Sequence, residues 1–131
     1  MIIDHVDQTA GGLPDDYRAH FAGVARFQQL TSPFVEGPDV FIVHFDAGAR
    51  TRPHVHHLGQ VLHVVSGEGV VADRNGRHVV SPGDTITVSP DEWHWHGGLP
   101  HMPMSHFTVQ YRGADVSWEV EQADWADGYD G

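Results

Sequence analysis

Val70-Val71-Ala72-Asp73-Arg74-Asn75-Gly76-Arg77-His78-Val79-Val80 reads as two β-rich arms joined by an Asn-Gly pair. Asn and Gly tolerate the positive φ that a tight hairpin demands, so this dipeptide between branched runs is a strong hairpin signal. The same pattern continues in both directions. Upstream lie strand candidates at 21–30, at Val40-Phe-Ile-Val-His-Phe45 and at 54–65, the last interrupted near Leu58-Gly59. Downstream, Ser81-Pro-Gly-Asp84 turns the chain into Thr85-Ile-Thr-Val88, and Ser89-Pro90 opens another turn before Trp93-His-Trp-His96. Met104 to Tyr111 and Val116 to Val120 complete the set. Strands at such spacing, with hardly any helical periodicity, predict an all-β sandwich or barrel. Helix is expected only in short pieces near the termini, at 14–21 and 122–129. No internal repeat or linker interrupts the 131 residues, which read as one domain, 1–131.

The composition narrows the function classes. There is no cysteine, hence no disulfide, zinc-thiolate site or thiolate nucleophile. All seven basic residues are arginine, so a lysine Schiff base is excluded. A formal charge of −11 argues against nucleic-acid and anionic-membrane partners, and part of it sits in the acidic stretch from Glu119 to Asp130. No apolar run reaches membrane length, and the start Met1-Ile2-Ile3-Asp4-His5 does not read as a signal peptide. The expected location is cytoplasmic.

Twelve histidines are far more than a chain of this size ordinarily carries. Imidazole is the commonest metal ligand and the proton carrier suited to neutral pH. His54 and His56 stand one residue apart, so an extended chain turns both to one face. Gln60 differs from them by even numbers and joins that face if the strand is continuous. His94 and His96 share a face by the same rule, as do His106, Thr108 and Gln110. Buried polar side chains need partners, and a metal ion satisfies several imidazoles at once. His5, His20, His78 and His101 belong to no such group and read as structural. Trp93, Trp95, Phe41, Phe45 and Phe107 read as core or interface, and His63 should face away from any metal.

Gly48-x5-His54-x-His56-x3-Gln60-x6-Gly67 resembles the first motif of the cupin superfamily, spanning 48–67, whose usual form has glutamate where this chain has Gln60. Pro82-Gly83-Asp84 through Ser89-Pro90 to His94 resembles the second motif, at 82–97, with one extra residue between Gly83 and Pro90. The resemblance implies a double-stranded β-helix of jelly-roll type with a metal in the barrel mouth, held by His54, His56, Gln60 and His94. Such barrels commonly pair, so a homodimer or homotetramer is expected. The neutral amide of Gln60 would leave a divalent ion its full charge, and thus a stronger Lewis acid. Three imidazoles and one oxygen suit Mn²⁺, Fe²⁺, Ni²⁺ or Co²⁺, and Zn²⁺ with fewer open positions.

The set Ala49-Arg50-Thr51, His54-x-His56, Leu58-Gly59-Gln60, His94-Trp95-His96-Gly97 and His106-x3-Gln110 is similar to small bacterial cupins that include manganese-dependent hydroxynitrile lyases. This resemblance puts Mn²⁺ first among the metals. It implies a small-molecule substrate, with His106 as general base and His96, Thr51 and Gln110 as pocket groups. A polarising metal beside a neutral imidazole suits cleavage of a cyanohydrin to a carbonyl compound and cyanide. Two other readings remain at this level. A cupin dioxygenase would use a redox metal and consume oxygen. A non-catalytic binding cupin would hold metal and ligand without turnover. His106 is either the base or a satisfied core histidine, and Thr51 and Gln110 either touch substrate or steady the wall.

Overall fold

The computed structural model describes residues 1–30, 37–113 and 115–125. Two five-stranded antiparallel sheets form the body. One has the order β1 (Phe21–Ala22), β4 (Arg50–Thr51), β10 (Trp95–Gly98), β7 (Gly69–Asp73), β8 (Gly76–Val80). The other has the order β2 (Ala25–Gln29), β3 (Pro38–Phe45), β11 (Met104–Tyr111), β6 (Gln60–Gly67), β9 (Thr85–Val88). A two-stranded ladder joins β5 (Val55–His56) to β12 (Val116–Ser117). The architecture is all-β, as expected, and no helix among the described residues is long and apolar enough to cross a membrane.

The hairpin forms where the Asn-Gly pair placed it and is tighter than the sequence suggested. Arg77 already pairs with Ala72, leaving Arg74-Asn75 as the turn. Asp73 Oδ1 accepts the Asn75 N–H at 2.8 Å, an Asx turn that closes the loop.

Other boundaries move for identifiable reasons. The run 21–30 is two strands, β1 and β2, in different sheets. Gly23 makes the corner at φ +77, and a Cβ there would stand 2.8 Å from Ala49 Cα. The helix expected at 14–21 is a 3₁₀ turn, Asp15–His20, with no side-chain cap. Residues 122–125 of the second expected helix are not helical, and 126–129 lie outside the described residues. The span 54–65 breaks at His57-Leu58-Gly59, with Gly59 at φ +78. The strand expected from Trp93 starts at Trp95, and the one expected over 116–120 ends at Ser117.

Alternation along the strands divides the core. Phe41, Val43 and Phe45 of β3 pack with Val64, Val71, Val80 and Met104 between the sheets. Trp93 and Trp95 pack with Val70 and Ala72 on the other side of β10. Ile42 and His44 point to the opposite face of β3 and are also buried. The N-terminal segment runs beside them, anchored by Gln28, whose Nε2 donates to His5 O at 2.6 Å and whose Oε1 accepts from Asp7 N at 3.0 Å.

Gly23→Ala is expected to destabilise the protein by about 2 kcal/mol or more, since it adds both a left-handed backbone penalty and a clash with backbone. Urea unfolding measures it; an unchanged midpoint would refute the corner assignment.

Candidate metal centre

The centre is built on one cross-strand pair. His54 N donates to His94 O at 3.0 Å and His94 N returns a bond to His54 O at 3.2 Å, an isolated antiparallel bridge between the two motif regions. Their rings lie 4.3 Å apart, and His56 sits 5.0 Å from His54 and 5.6 Å from His94. The three residues are buried, and each offers a ring nitrogen within 4.8 Å of the others.

Hydrogen bonds orient two of these rings. His54 Nδ1 lies 2.7 Å from Arg52 O, and His94 Nδ1 lies 2.8 Å from Glu92 O. A carbonyl only accepts, so both Nδ1 atoms carry the proton and both Nε2 atoms keep a lone pair. His94 Nε2 is buried without a partner, as are His56 Nδ1 and Gln60 Oε1. Gln60 Nε2 donates to Gln110 Oε1 at 3.2 Å, which holds the amide with its oxygen left unpaired. Buried lone pairs without donors are costly in a protein interior. A divalent cation would satisfy them, so the donor set fits a metal held by His54, His56, His94 and Gln60.

The parity expected from sequence holds for His54 with His56 and for His94 with His96. Gln60 comes to line the chamber with His54 and His56 by another route. The bend at Gly59 interrupts the strand, and β6 restarts with Gln60 buried and Val61 exposed.

His96 and His106 form a second buried unit, with His106 Nε2 3.0 Å from His96 Nδ1. His106 Nδ1 lies 3.2 Å from both Phe107 O and Thr108 Oγ1. Phe107 O accepts, so His106 Nδ1 is protonated and its Nε2 accepts from His96 Nδ1–H. His96 Nε2 is therefore left with a lone pair. Thr51 Oγ1 accepts the His96 backbone N–H at 3.2 Å, tying β10 to β4.

The chamber beside the centre has a volume of about 40 Å³ and is lined by Thr51, His54, His56, Gln60, His96, Thr108 and Gln110. Its other walls are mainly aromatic. Trp118 lies 4.5 Å from His54 and stacks on His20 at 4.2 Å, with the planes 4° apart. Tyr17, Phe21, Phe27 and Phe41, with Val43 and Val116, complete the lining. Phe41, read from sequence as core or interface, also forms a chamber wall. Trp118 and Tyr17 escaped the sequence reading because they reach the site from short irregular segments with no periodicity. His57 and His63 are elsewhere: His57 Nδ1 meets Asp91 Oδ1 at 2.6 Å, and His63 Nδ1 meets Thr85 Oγ1 at 2.7 Å.

Burial dominates the titration of the centre. It holds His54 and His96 well below the usual imidazole range, with neighbouring histidines adding to the shift. It lowers His94 as well, and takes His56 and His106 to about 4. The ligands are thus neutral and ready for a cation at neutral pH.

A cupin domain model matches residues 41–109. The chain is 39% identical over 120 residues to an (R)-mandelonitrile lyase of Granulicella tundricola, covering 85% of this chain and 86% of that one. A cupin-like protein from Thermotoga maritima superposes with a TM-score of 0.75 at 26% identity, over 88% of each chain. The polyketide cyclase RemF from Streptomyces resistomycificus superposes with a TM-score of 0.77 at 15% identity, over 94% of this chain and 89% of that one, a likeness of fold. This chain belongs to the cupin family.

Two expectations follow. His54→Ala and His94→Ala should each abolish stoichiometric metal binding, read by elemental analysis after dialysis; full retention in either would refute the ligand set. The second concerns acid. Above about pH 6.5 the buried imidazoles are neutral in folded and unfolded chains alike. Between 6.5 and about 4, the unfolded chain takes up protons that His56 and His106 refuse when folded. Stability of the chelator-treated protein should therefore fall through that window as pH drops, by up to ~1.4 kcal/mol per pH unit for each such histidine. Urea titrations at stepped pH measure it, and a flat profile from pH 7 to 5 would contradict it.

Proposed function

We propose that this cupin is a metal-dependent lyase that cleaves small cyanohydrins to a carbonyl compound and hydrogen cyanide, and joins them in reverse. The observation that carries the reading is the adjacency of two units. Three neutral imidazoles converge on one point, the unpaired Gln60 amide oxygen lines the chamber beside them, and a hydrogen-bonded histidine pair reaches that chamber through His96. The lyase relative, at 39% identity, supports the same chemistry.

A divalent cation, with Mn²⁺ our first choice, would supply Lewis acidity toward the substrate oxygen. The chain's own residues supply the rest. His96 Nε2 takes the hydroxyl proton while its Nδ1 proton shifts to His106 Nε2. His106 is thus the final base, acting through His96. As the carbonyl forms, the C–C bond breaks and its electron pair leaves with cyanide. Cyanide then takes a proton back from the pair and departs as hydrogen cyanide. The aromatic walls exclude water and seat an apolar substituent, and Thr51 fixes the position of His96.

Protein loaded with Mn²⁺ should release benzaldehyde from mandelonitrile, followed by absorbance. His106→Ala and His96→Ala should each lose about a hundredfold or more in kcat/KM while keeping the metal. If the parent shows no cleavage with Mn²⁺, Fe²⁺, Co²⁺, Ni²⁺ or Zn²⁺, the lyase reading fails. Oxygen uptake with a phenol or diketone would replace it with the dioxygenase one.

A further inference from the structure

The chamber at the metal centre is small for the reaction proposed. Its volume of about 40 Å³ holds a few waters or a diatomic molecule, whereas ligand sites commonly span about 300–1,000 Å³. A second cavity of about 480 Å³ lies at the same end of the barrel. The two share Gln60 and Gln110 in their linings, and those side chains are hydrogen-bonded to each other at 3.2 Å. The Gln60–Gln110 pair is thus the partition between a small reactive chamber and a larger room.

The walls of that room are informative. Leu58, Val61, Val109 and Tyr111 line it, and Leu58 and Tyr111 are 55% and 66% exposed. Arg112 also lines it and is exposed. It adds one cation to a wall that is otherwise apolar apart from Gln60 and Gln110, on a chain whose net charge is −11.

We propose that this outer cavity is a substrate-binding subsite. It takes the non-reacting body of an aryl hydroxy or carbonyl compound, while the reacting carbon passes Gln110 into the inner chamber. Arg112 gives it a preference for bodies that end in a carboxylate. The proposal rests on the lyase reading for the reacting end alone. Displacement of Gln110 by the incoming ligand would also free the Gln60 amide, so occupancy of the outer room is coupled to the orientation of a metal ligand.

Calorimetry on the metal-loaded full chain tests this with two unreactive probes, benzyl alcohol and 4-(hydroxymethyl)benzoate. Both should bind, the carboxylate more tightly. Leu58→Trp, at an exposed position whose fold a thermal melt can check, fills the cavity and should weaken both by about tenfold. Arg112→Ala should weaken the carboxylate probe by about three- to fivefold and leave benzyl alcohol within about twofold, the scale of an exposed ion pair. The subsite is overturned if neither probe binds the parent at millimolar concentration, if Leu58→Trp leaves both affinities within about twofold, or if Arg112→Ala affects the two probes equally. Probe binding without any cyanohydrin cleavage would instead fail the lyase reading and leave the subsite standing. Cleavage of mandelonitrile at full rate by Leu58→Trp would do the reverse.

Discussion

The reciprocal backbone bridge between His54 and His94 is the contact on which the centre depends. It joins two segments forty residues apart in sequence by two hydrogen bonds of 3.0 and 3.2 Å. Because a hydrogen-bonded antiparallel pair turns both side chains to one face, one bridge delivers two imidazoles to one point. Each ring then donates to the carbonyl two residues before it, Arg52 for His54 and Glu92 for His94. The same local pattern on both sides yields the same tautomer on both sides. The neighbours follow by period two: His56 along one segment and His96 along the other.

Such an interior conflicts with ordinary core packing. His54, His56, Gln60, His94, His96, His106 and Thr108 are all buried among phenylalanines, tryptophans and valines. Each polar atom there has to be satisfied or it costs stability. The His96–His106–Phe107 chain is satisfied internally except at His96 Nε2, since its other donors and acceptors alternate. The His54–His56–His94–Gln60 group is not, and three of its atoms have no partner. That contrast divides one buried histidine cluster into two functional halves. The first half is arranged as a proton relay would need, and the second offers unpaired lone pairs that would suit a cation.

Much of this was legible locally. Strand parity placed His54 with His56 and His94 with His96, and the Asn-Gly pair placed a hairpin, because both rest on interactions within a few residues. What the sequence hid is non-local. Nothing near Gly23 shows that the chain changes sheets there; the reason is the approach of Ala49, twenty-six residues away. Gln60 lines the chamber beside His54 and His56 despite a broken strand, because Gly59 bends the chain and β6 restarts with Gln60 buried. Trp118 follows a two-residue strand, β12, which pairs among the described residues with β5, so its place beside His54 depends on that ladder. The relation of His106 to His96 required the hydrogen bonds themselves, since sequence parity sees two strands and not the 3.0 Å between them.

Gln60 has two consequences that belong together. Among the residues lining the inner chamber there is no carboxylate, so a divalent ion there keeps its full charge. A carboxylate in place of Gln60 would bind the cation more tightly and weaken its pull on a substrate oxygen. It would also lose the N–H that Gln60 gives to Gln110, so Gln110 would have to turn its own N–H toward the carboxylate to keep the pair. An amide supplies both an oxygen for the cation and a donor for the gate, which a carboxylate cannot do. The departure from glutamate at this position would thus bear on both the strength of a bound Lewis acid and the hydrogen bond between the two cavities through one side chain.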